Sequence, residues 1–229
     1  MKVIITGASK GIGKGVAEVL ASSGFQLGLI ARDEQSLKQL QDNLETAAHY
    51  RVADLRNHEA ASKAMSELLD ELQGIDALIN NAGLVLRTDI FNISYEQWRA
   101  VQETNVNSYF SCTKAVVPLM REQGSGHIIN VSSISGRLPL KGGSAYAASK
   151  YAVTGFSESL FLEVREHGIK VSTIFPGSVD TESHSSDDNT WKVSPKEVGE
   201  ACLGLLQTSP TNCISRLEIR PLCPPSKSG

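Results

Sequence analysis

Six short apolar runs separated by helix-length stretches constrain this chain more than any other feature; they lie at residues 2–6, 26–31, 49–53, 77–79, 127–131 and 170–175. Their length and apolar content read as strands. The segments between them, around 13–23, 35–46, 59–73, 95–122 and 146–167, are compatible with helices and long enough to serve as crossovers between parallel neighbours. Ser194-Pro195 opens a further helix, and 216–221 supplies a last strand-like run. The expected architecture is a doubly wound α/β fold, a parallel sheet of about seven strands with helices on both faces. In such a sheet, ligands bind beyond the carboxyl ends of the strands. The residues just after each apolar run are therefore the places to look for chemistry.

The first of those places is glycine-rich. Val3-Ile4-Ile5 runs into Thr6-Gly7-Ala8-Ser9-Lys10-Gly11-Ile12-Gly13, and Val16, Ala17, Val19 and Leu20 then form an apolar helical stripe. Residues without Cβ let the backbone bend sharply and approach a pyrophosphate, whose charge meets free N–H groups at the helix start. This run resembles the T-G-x-x-x-G-I-G fingerprint of the short-chain dehydrogenase/reductase family. Later motifs follow in that family's order: Asp54-Leu55, Asn80-Asn81-Ala82-Gly83, Ser132-Ser133, Tyr146-x-x-x-Lys150 and Pro176-Gly177-Ser178-Val179-Asp180-Thr181. They cover residues 3 to about 181, and the fold they imply is a single Rossmann-like domain spanning 1–229.

The resemblance implies cofactor contacts from Gly7, Ser9, Lys10, Gly11, Ile12, Gly13, Arg32, Asp54, Leu55, Asn81, Ala82 and Gly83. It adds Tyr146, Lys150, Pro176, Gly177, Val179 and Thr181. Asn80 and Asn81 have side chains able to bridge loop backbones that lack sheet partners. An acid near the end of the second strand would accept hydrogen bonds from a ribose 2′-OH and repel a 2′-phosphate. Here Ala31 stands where NAD-preferring members of the family carry that acid, and Arg32 next to it offers a forked guanidinium, with Lys10 adding charge. NADP(H) is therefore expected in preference to NAD(H). Asp33 and Glu34 come one or two residues later, where acids commonly begin a helix; an ordinary surface charge is the other reading of Arg32.

Tyr146 and Lys150 stand at i and i+4, one helical turn apart on one face, so the ammonium can act on the phenol. An unperturbed tyrosine has a pKa of about 10, and a neighbouring cation favours its phenolate. By resemblance, Tyr146 is the general acid or base, Ser133 binds the substrate oxygen, Lys150 also reaches the nicotinamide ribose, and Asn105 supports a proton relay. Ser132 is a positioning neighbour, and Asn107 is a second candidate for the asparagine role. The implied reaction interconverts a carbonyl (aldehyde, ketone or keto acid) and an alcohol by hydride transfer. Two alternatives stand beside it: a 3-oxoacyl-carrier-protein reductase, and a non-catalytic NADP(H)-sensing module.

Composition narrows the partners. With 22 Lys and Arg against 25 Asp and Glu, the chain has no positive excess to hold nucleic acid or an acidic membrane. No apolar run reads as a signal core or bilayer span, so a cytoplasmic protein is expected. Cys112, Cys202, Cys213 and Cys223 lack C-x-x-C spacing, and His49, His58, His127, His167 and His184 lack ligand spacing, so no metal is expected. Residues 182–193 read as a short substrate loop and 221–229 as an irregular tail. Arg137-Leu138-Pro139-Leu140, Leu84-Val85-Leu86 and Trp191 could line the pocket or pack beneath loops. The helical segments 95–122 and 146–167 pair across a two-fold axis in relatives, which implies a homodimer or homotetramer; the tail departs from the family's usual ending and puts the tetramer in doubt.

Overall fold

Alternation within the strands sorts side chains onto two faces, and each face is covered by helices. The computed structural model describes residues 1–182 and 189–224. Seven strands, β1 (Lys2–Thr6), β2 (Gln26–Ala31), β3 (Ala48–Val52), β4 (Ala77–Asn80), β5 (Gly126–Val131), β6 (Ile169–Pro176) and β7 (Arg216–Ile219), form one sheet in the order β3-β2-β1-β4-β5-β6-β7. Every pairing is parallel. The helices are α1 (Gly11–Ser22), α2 (Glu34–Asn43), α3 (His58–Leu72), α4 (Tyr95–Gln102), α5 (Ser108–Gln123), α6 (Ser144–Val164) and α7 (Pro195–Leu206).

Val3 and Ile5 of β1 point to one layer with Leu27, Leu29, Ile79 and Ile129, packed against Val16 and Leu20 of α1, Leu37 and Leu40 of α2, and Leu205 of α7. Ile4 points the other way with Ile30, Leu78 and Ile128, packed against Met65 and Leu68 of α3, Val116 and Met120 of α5, and Leu160 of α6. Strands buried on both faces explain the near-continuous apolar runs.

The expected strands all form, with ends shifted by one or two residues: β3 begins at Ala48, β5 at Gly126, and β7 ends at Ile219. The segment 95–122, expected as one helix, is two. A π-helical turn, Glu103–Asn107, joins α4 to α5 and carries the buried Asn105. Ser94 and Gln97 cap α4 reciprocally, as Ser194 and Glu197 cap α7, so each hydroxyl and side-chain acceptor satisfies an end N–H that the helix leaves free. No helix among the described residues is long and apolar enough to cross a membrane. Residues 183–188, most of the expected substrate loop with His184, and 225–229 of the tail lie outside the described residues.

Helices α1 and α7 meet backbone to backbone. A Cβ on Gly15 would lie 2.6 Å from the carbonyl of Pro195, and one on Gly199 would lie 2.8 Å from the Gly15 carbonyl oxygen. Because both obstacles are main chain, no side-chain rotation relieves them. Gly15→Ala is therefore expected to lower unfolding stability by about 1–3 kcal/mol, read as a shift of the urea midpoint, whereas Gly155→Ala, with open space at its Cβ, should leave the midpoint unchanged or raise it.

Candidate active site

The sheet order reverses between β1 and β4, so the loops leaving these strands diverge and open a crevice. One hydroxyl ties them together. Thr6 Oγ1 accepts hydrogen bonds from the backbone N–H of Asn81 (2.9 Å) and Ala82 (3.1 Å), while Asn81 Nδ2 donates to the carbonyls of Thr6 (3.0 Å) and Gly7 (3.2 Å). Asn81 thus bridges loop backbones as expected. Asn80 instead donates into a buried network with Thr113 and Asn130.

Gly7 and Gly11 have positive φ (66° and 53°), which L side chains rarely adopt. A Cβ on Gly13 would stand 2.2 Å from the Gly7 carbonyl oxygen, so the glycine loop closes on itself at that point. Side chains cap α2 (Asp33), α3 (Asn57), α4 (Ser94) and α7 (Ser194), but none caps α1, and its first turn holds no acid. The N–H groups of α1 therefore face the crevice with a positive dipole end and no side-chain partner, which suits a phosphate.

A cavity of about 550 Å³ runs along the carboxyl edge of the sheet from this loop. At one end lie Arg32, Asp54 and Leu55; in the middle lie Gly7, Ser9, Lys10, Gly11, Ile12, Asn81, Ala82 and Gly83. At the other end lie Ser133, Tyr146 and Lys150, with Pro176, Gly177, Val179 and Thr181 on the facing wall. Every expected cofactor residue lines it except Gly13, which serves the loop from behind.

Asp33, a rival acid for a ribose, is engaged elsewhere. It accepts from the N–H (3.1 Å) and hydroxyl (2.8 Å) of Ser36, and these bonds hold its carboxyl below the usual range. Arg56 was not foreseen. It grips Asp54 through Nε at 3.0 Å and lowers its pKa. Lys10 pairs with Glu182 at 3.4 Å, with both side chains largely exposed, and contributes little to stability.

Beyond β5, Ser132 donates to the Lys150 carbonyl at 3.0 Å, and Ser133 accepts from the Ser135 N–H at 3.1 Å. The turn comes so close to α6 that a Cβ on Gly136 would lie 2.7 Å from the Lys150 carbonyl oxygen. Lys150 is buried without a carboxylate. Its Nζ donates to the Val131 carbonyl (2.8 Å) and lies 5.5 Å and 5.9 Å from the ring centres of Tyr109 and Tyr146. Burial pushes its pKa down to about 7. Burial also raises the Tyr146 phenol above its ordinary value, opposed by a hydrogen bond from Ser133 and by the charge of Arg87.

Asn105 is fully buried. Its Oδ1 accepts from Leu84 N–H (2.6 Å), and its Nδ2 donates to the Leu84 carbonyl (3.0 Å) and to Ser149 Oγ (2.9 Å). It thereby ties the loop after β4 to the helix carrying Tyr146 and Lys150. Asn107 is exposed. Of the apolar candidates, Val85 and Leu140 reach the cavity. Arg137 instead pairs with Glu218 and lies over Phe175, and Trp191 lies beside Lys192. Tyr109, which donates to the same Val131 carbonyl at 2.9 Å, was also missed. Its place four residues after Asn105 is the one signal that could have suggested it. Among the described residues, no cluster of His, Cys, Asp and Glu could hold a metal ion.

A reversal of strand order beneath a glycine cradle defines the class of doubly wound, nucleotide-binding α/β proteins. Comparison with known proteins narrows this. The family model for short chain dehydrogenase matches residues 1–191. An uncharacterized oxidoreductase of Staphylococcus saprophyticus is 35% identical over 227 residues, 96% of each chain. The 3-oxoacyl-[acyl-carrier-protein] reductase of Vibrio cholerae is 35% identical over 179 residues, covering 78% of this chain and 73% of that protein. The closed form of a serine dehydrogenase complexed with NADP+ superposes with a TM-score of 0.91 at 31% identity, covering 96% of this chain and 95% of that one. The chain belongs to the short-chain dehydrogenase/reductase family and has its Rossmann-like fold.

The buried asparagine can be told from its neighbour by stability. Asn105→Ala leaves the Leu84 backbone groups and the Ser149 hydroxyl without that partner and is expected to cost about 1–3 kcal/mol, measured by chemical unfolding. Asn107→Ala, on an exposed side chain, should stay within about 0.5 kcal/mol of the parent.

Proposed function

We propose that the protein interconverts a carbonyl and an alcohol with NADP(H), using Tyr146 as general acid or base. The observation that carries this reading is the convergence of Ser133, Tyr146 and Lys150 at one end of the cavity that begins at the uncapped N-terminus of α1. When bound there, the nicotinamide supplies or accepts the hydride.

In reduction, Tyr146 Oη gives its proton to the substrate oxygen, and Ser133 Oγ hydrogen-bonds that oxygen as its negative charge grows. The phenolate left on Tyr146 is stabilised by the Lys150 ammonium on the same helical face. In oxidation the phenolate takes the alcohol proton. Lys150 can do this only while charged, and a phenolate forming on Tyr146 favours the ammonium against the burial that lowers its pKa.

NADP(H) preference rests on Arg32: the acid next to it, Asp33, caps α2, and the nearby Asp54 is held by Arg56. The similar serine dehydrogenase with bound NADP+ supports the same choice. Likeness to the Vibrio cholerae enzyme supports 3-oxoacyl thioesters as substrates. The convergence of three proton-handling side chains speaks against a purely sensing role. Exposed Phe110 on α5, with Tyr151 and Leu162 on α6, supports a homodimer through these helices.

The test follows NADPH and NADH oxidation by absorbance across aldehydes, ketones, oxo acids and 3-oxoacyl thioesters. Wild type should turn over at least one class, and Tyr146→Phe should lose about 10²–10⁴-fold in kcat while still quenching with NADPH; full turnover by that variant would overturn the mechanism. Arg32→Ala should weaken NADPH binding roughly ten- to a hundredfold through loss of a charge-assisted bond and NADH by less than about threefold. Equal losses for the two cofactors would refute the assignment of Arg32.

A further inference from the structure

The cavity carries more positive charge than its cofactor duties and internal pairings account for. Among the described residues, five cationic side chains line it, Lys10, Arg32, Arg56, Arg87 and Lys150, against three acidic ones, Asp33, Asp54 and Glu182. The chain as a whole is net negative, −3, so this excess is local to the cavity. Lys10 is matched by Glu182, Arg56 by Asp54, and Lys150 by the Val131 carbonyl. Arg32 stands at the far end beside Asp54, where the proposed 2′-phosphate would sit. Arg87 makes no hydrogen bond and no ion pair among the described residues, and no cofactor group is assigned to it.

Its position is informative. Arg87 follows the Asn81-Ala82-Gly83 loop that Asn105 clamps at Leu84, so its backbone is anchored only three residues away. It lines the same end of the cavity as Ser133 and Tyr146, beside the apolar side chains of Val85 and Leu140. Its charge is close enough to lower the Tyr146 pKa against the pull of burial. A guanidinium left open at the reacting end of a cavity matches a planar carboxylate through two parallel N–H···O bonds. Arg87 is exposed at the cavity, so its single guanidinium is open to a monoanionic group entering from solvent.

We propose that Arg87 binds a carboxylate of the substrate, so that the protein acts on small hydroxy acids and the matching oxo acids. This deepens the carbonyl–alcohol reading above and rests on it. The reaction balances as hydroxy acid plus NADP+ giving oxo acid, NADPH and one proton, and the carboxylate itself is unchanged.

The test compares 2- and 3-hydroxybutyrate with their methyl esters, in wild type, Arg87→Gln and Arg87→Lys, by NADP+ reduction. Calorimetric binding of the corresponding oxo acids to the protein with NADP+ is measured alongside. In wild type kcat/KM should favour at least one acid over its ester by tenfold or more. Arg87→Gln should shrink that ratio by roughly 10- to 100-fold, the range for losing a hydrogen bond to a charged group, and Arg87→Lys should restore part of it. Because the readout is a ratio, any common effect on Tyr146 or on the amount of folded protein cancels. An acid-to-ester ratio near one in wild type, or one unchanged by Arg87→Gln, overturns the proposal while leaving the carbonyl–alcohol reading intact. Turnover of nothing, with oxo-acid binding that Arg87→Gln abolishes, keeps the carboxylate site and removes the reaction. Neither turnover nor binding removes both.

Discussion

The Thr6 hydroxyl stands at the one place where the sheet must be open and held together at once. Strands β1 and β4 run side by side, yet their outgoing connections turn to opposite faces. Backbone N–H groups at that fork have no strand to pair with, and unpaired buried amides are costly. Thr6 accepts two of them, from Asn81 and Ala82, and Asn81 returns two hydrogen bonds to the carbonyls of Thr6 and Gly7. A Cβ on Gly7 would lie 2.8 Å from Ala82 Cα, so the two loops touch through main chain. The glycine cradle and the loop leading to Arg87 are therefore one rigid unit rather than two flexible loops.

A second constraint acts at the other end of the cavity. Lys150 is a buried amine with no carboxylate beside it among the described residues. Its ammonium is instead met by one carbonyl and two aromatic faces, which compensate burial only in part. The lowered pKa records that deficit. Tyr109 shares the Val131 carbonyl, and Ser132 and Gly136 bring the turn after β5 onto the backbone of α6. Main-chain packing thus fixes the turn carrying Ser133 against the helix carrying Tyr146.

Most of the fold was legible in the sequence because buried parallel strands write themselves as unbroken apolar runs and because the glycine turn and Tyr146-x-x-x-Lys150 carry their chemistry in their spacing. Less of the surrounding site was. The π-helical turn at Glu103–Asn107 leaves the apolar periodicity of 95–122 nearly intact, so it reads as one helix, and only the odd presence of a mid-helix asparagine hinted otherwise. Arg56 and Arg87 are lone charges in loops, indistinguishable in sequence from solvated residues. What separates them is partnership: Arg56 faces Asp54, whereas Arg87 faces the cavity. Asp33 and Arg32 differ in the same way, since a hydrogen bond to Ser36 assigns one to a helix end.

Two departures from local stability rules lie at the cavity, the uncapped end of α1 and the buried ammonium of Lys150. Helices α2, α3, α4 and α7 are capped by side chains, and α1, which opens onto the cavity, is not. A missing cap costs about 1 kcal/mol, and burying an ammonium that is only partly compensated adds a further cost. Gly7 and Gly11, with positive φ, and Arg87, with no partner among the described residues, line that cavity as well. Other departures lie elsewhere: α6 has no side-chain cap at Gly143, and Gln73 and five further glycines have positive φ. The uncapped end of α1, the buried Lys150 and Arg87 leave positive charge or free donors at the cavity, which an extended anionic ligand would meet at once. Binding energy from such a ligand offsets defects that folding alone leaves open, which couples the stability of α1 and of Lys150 to occupancy of the cavity.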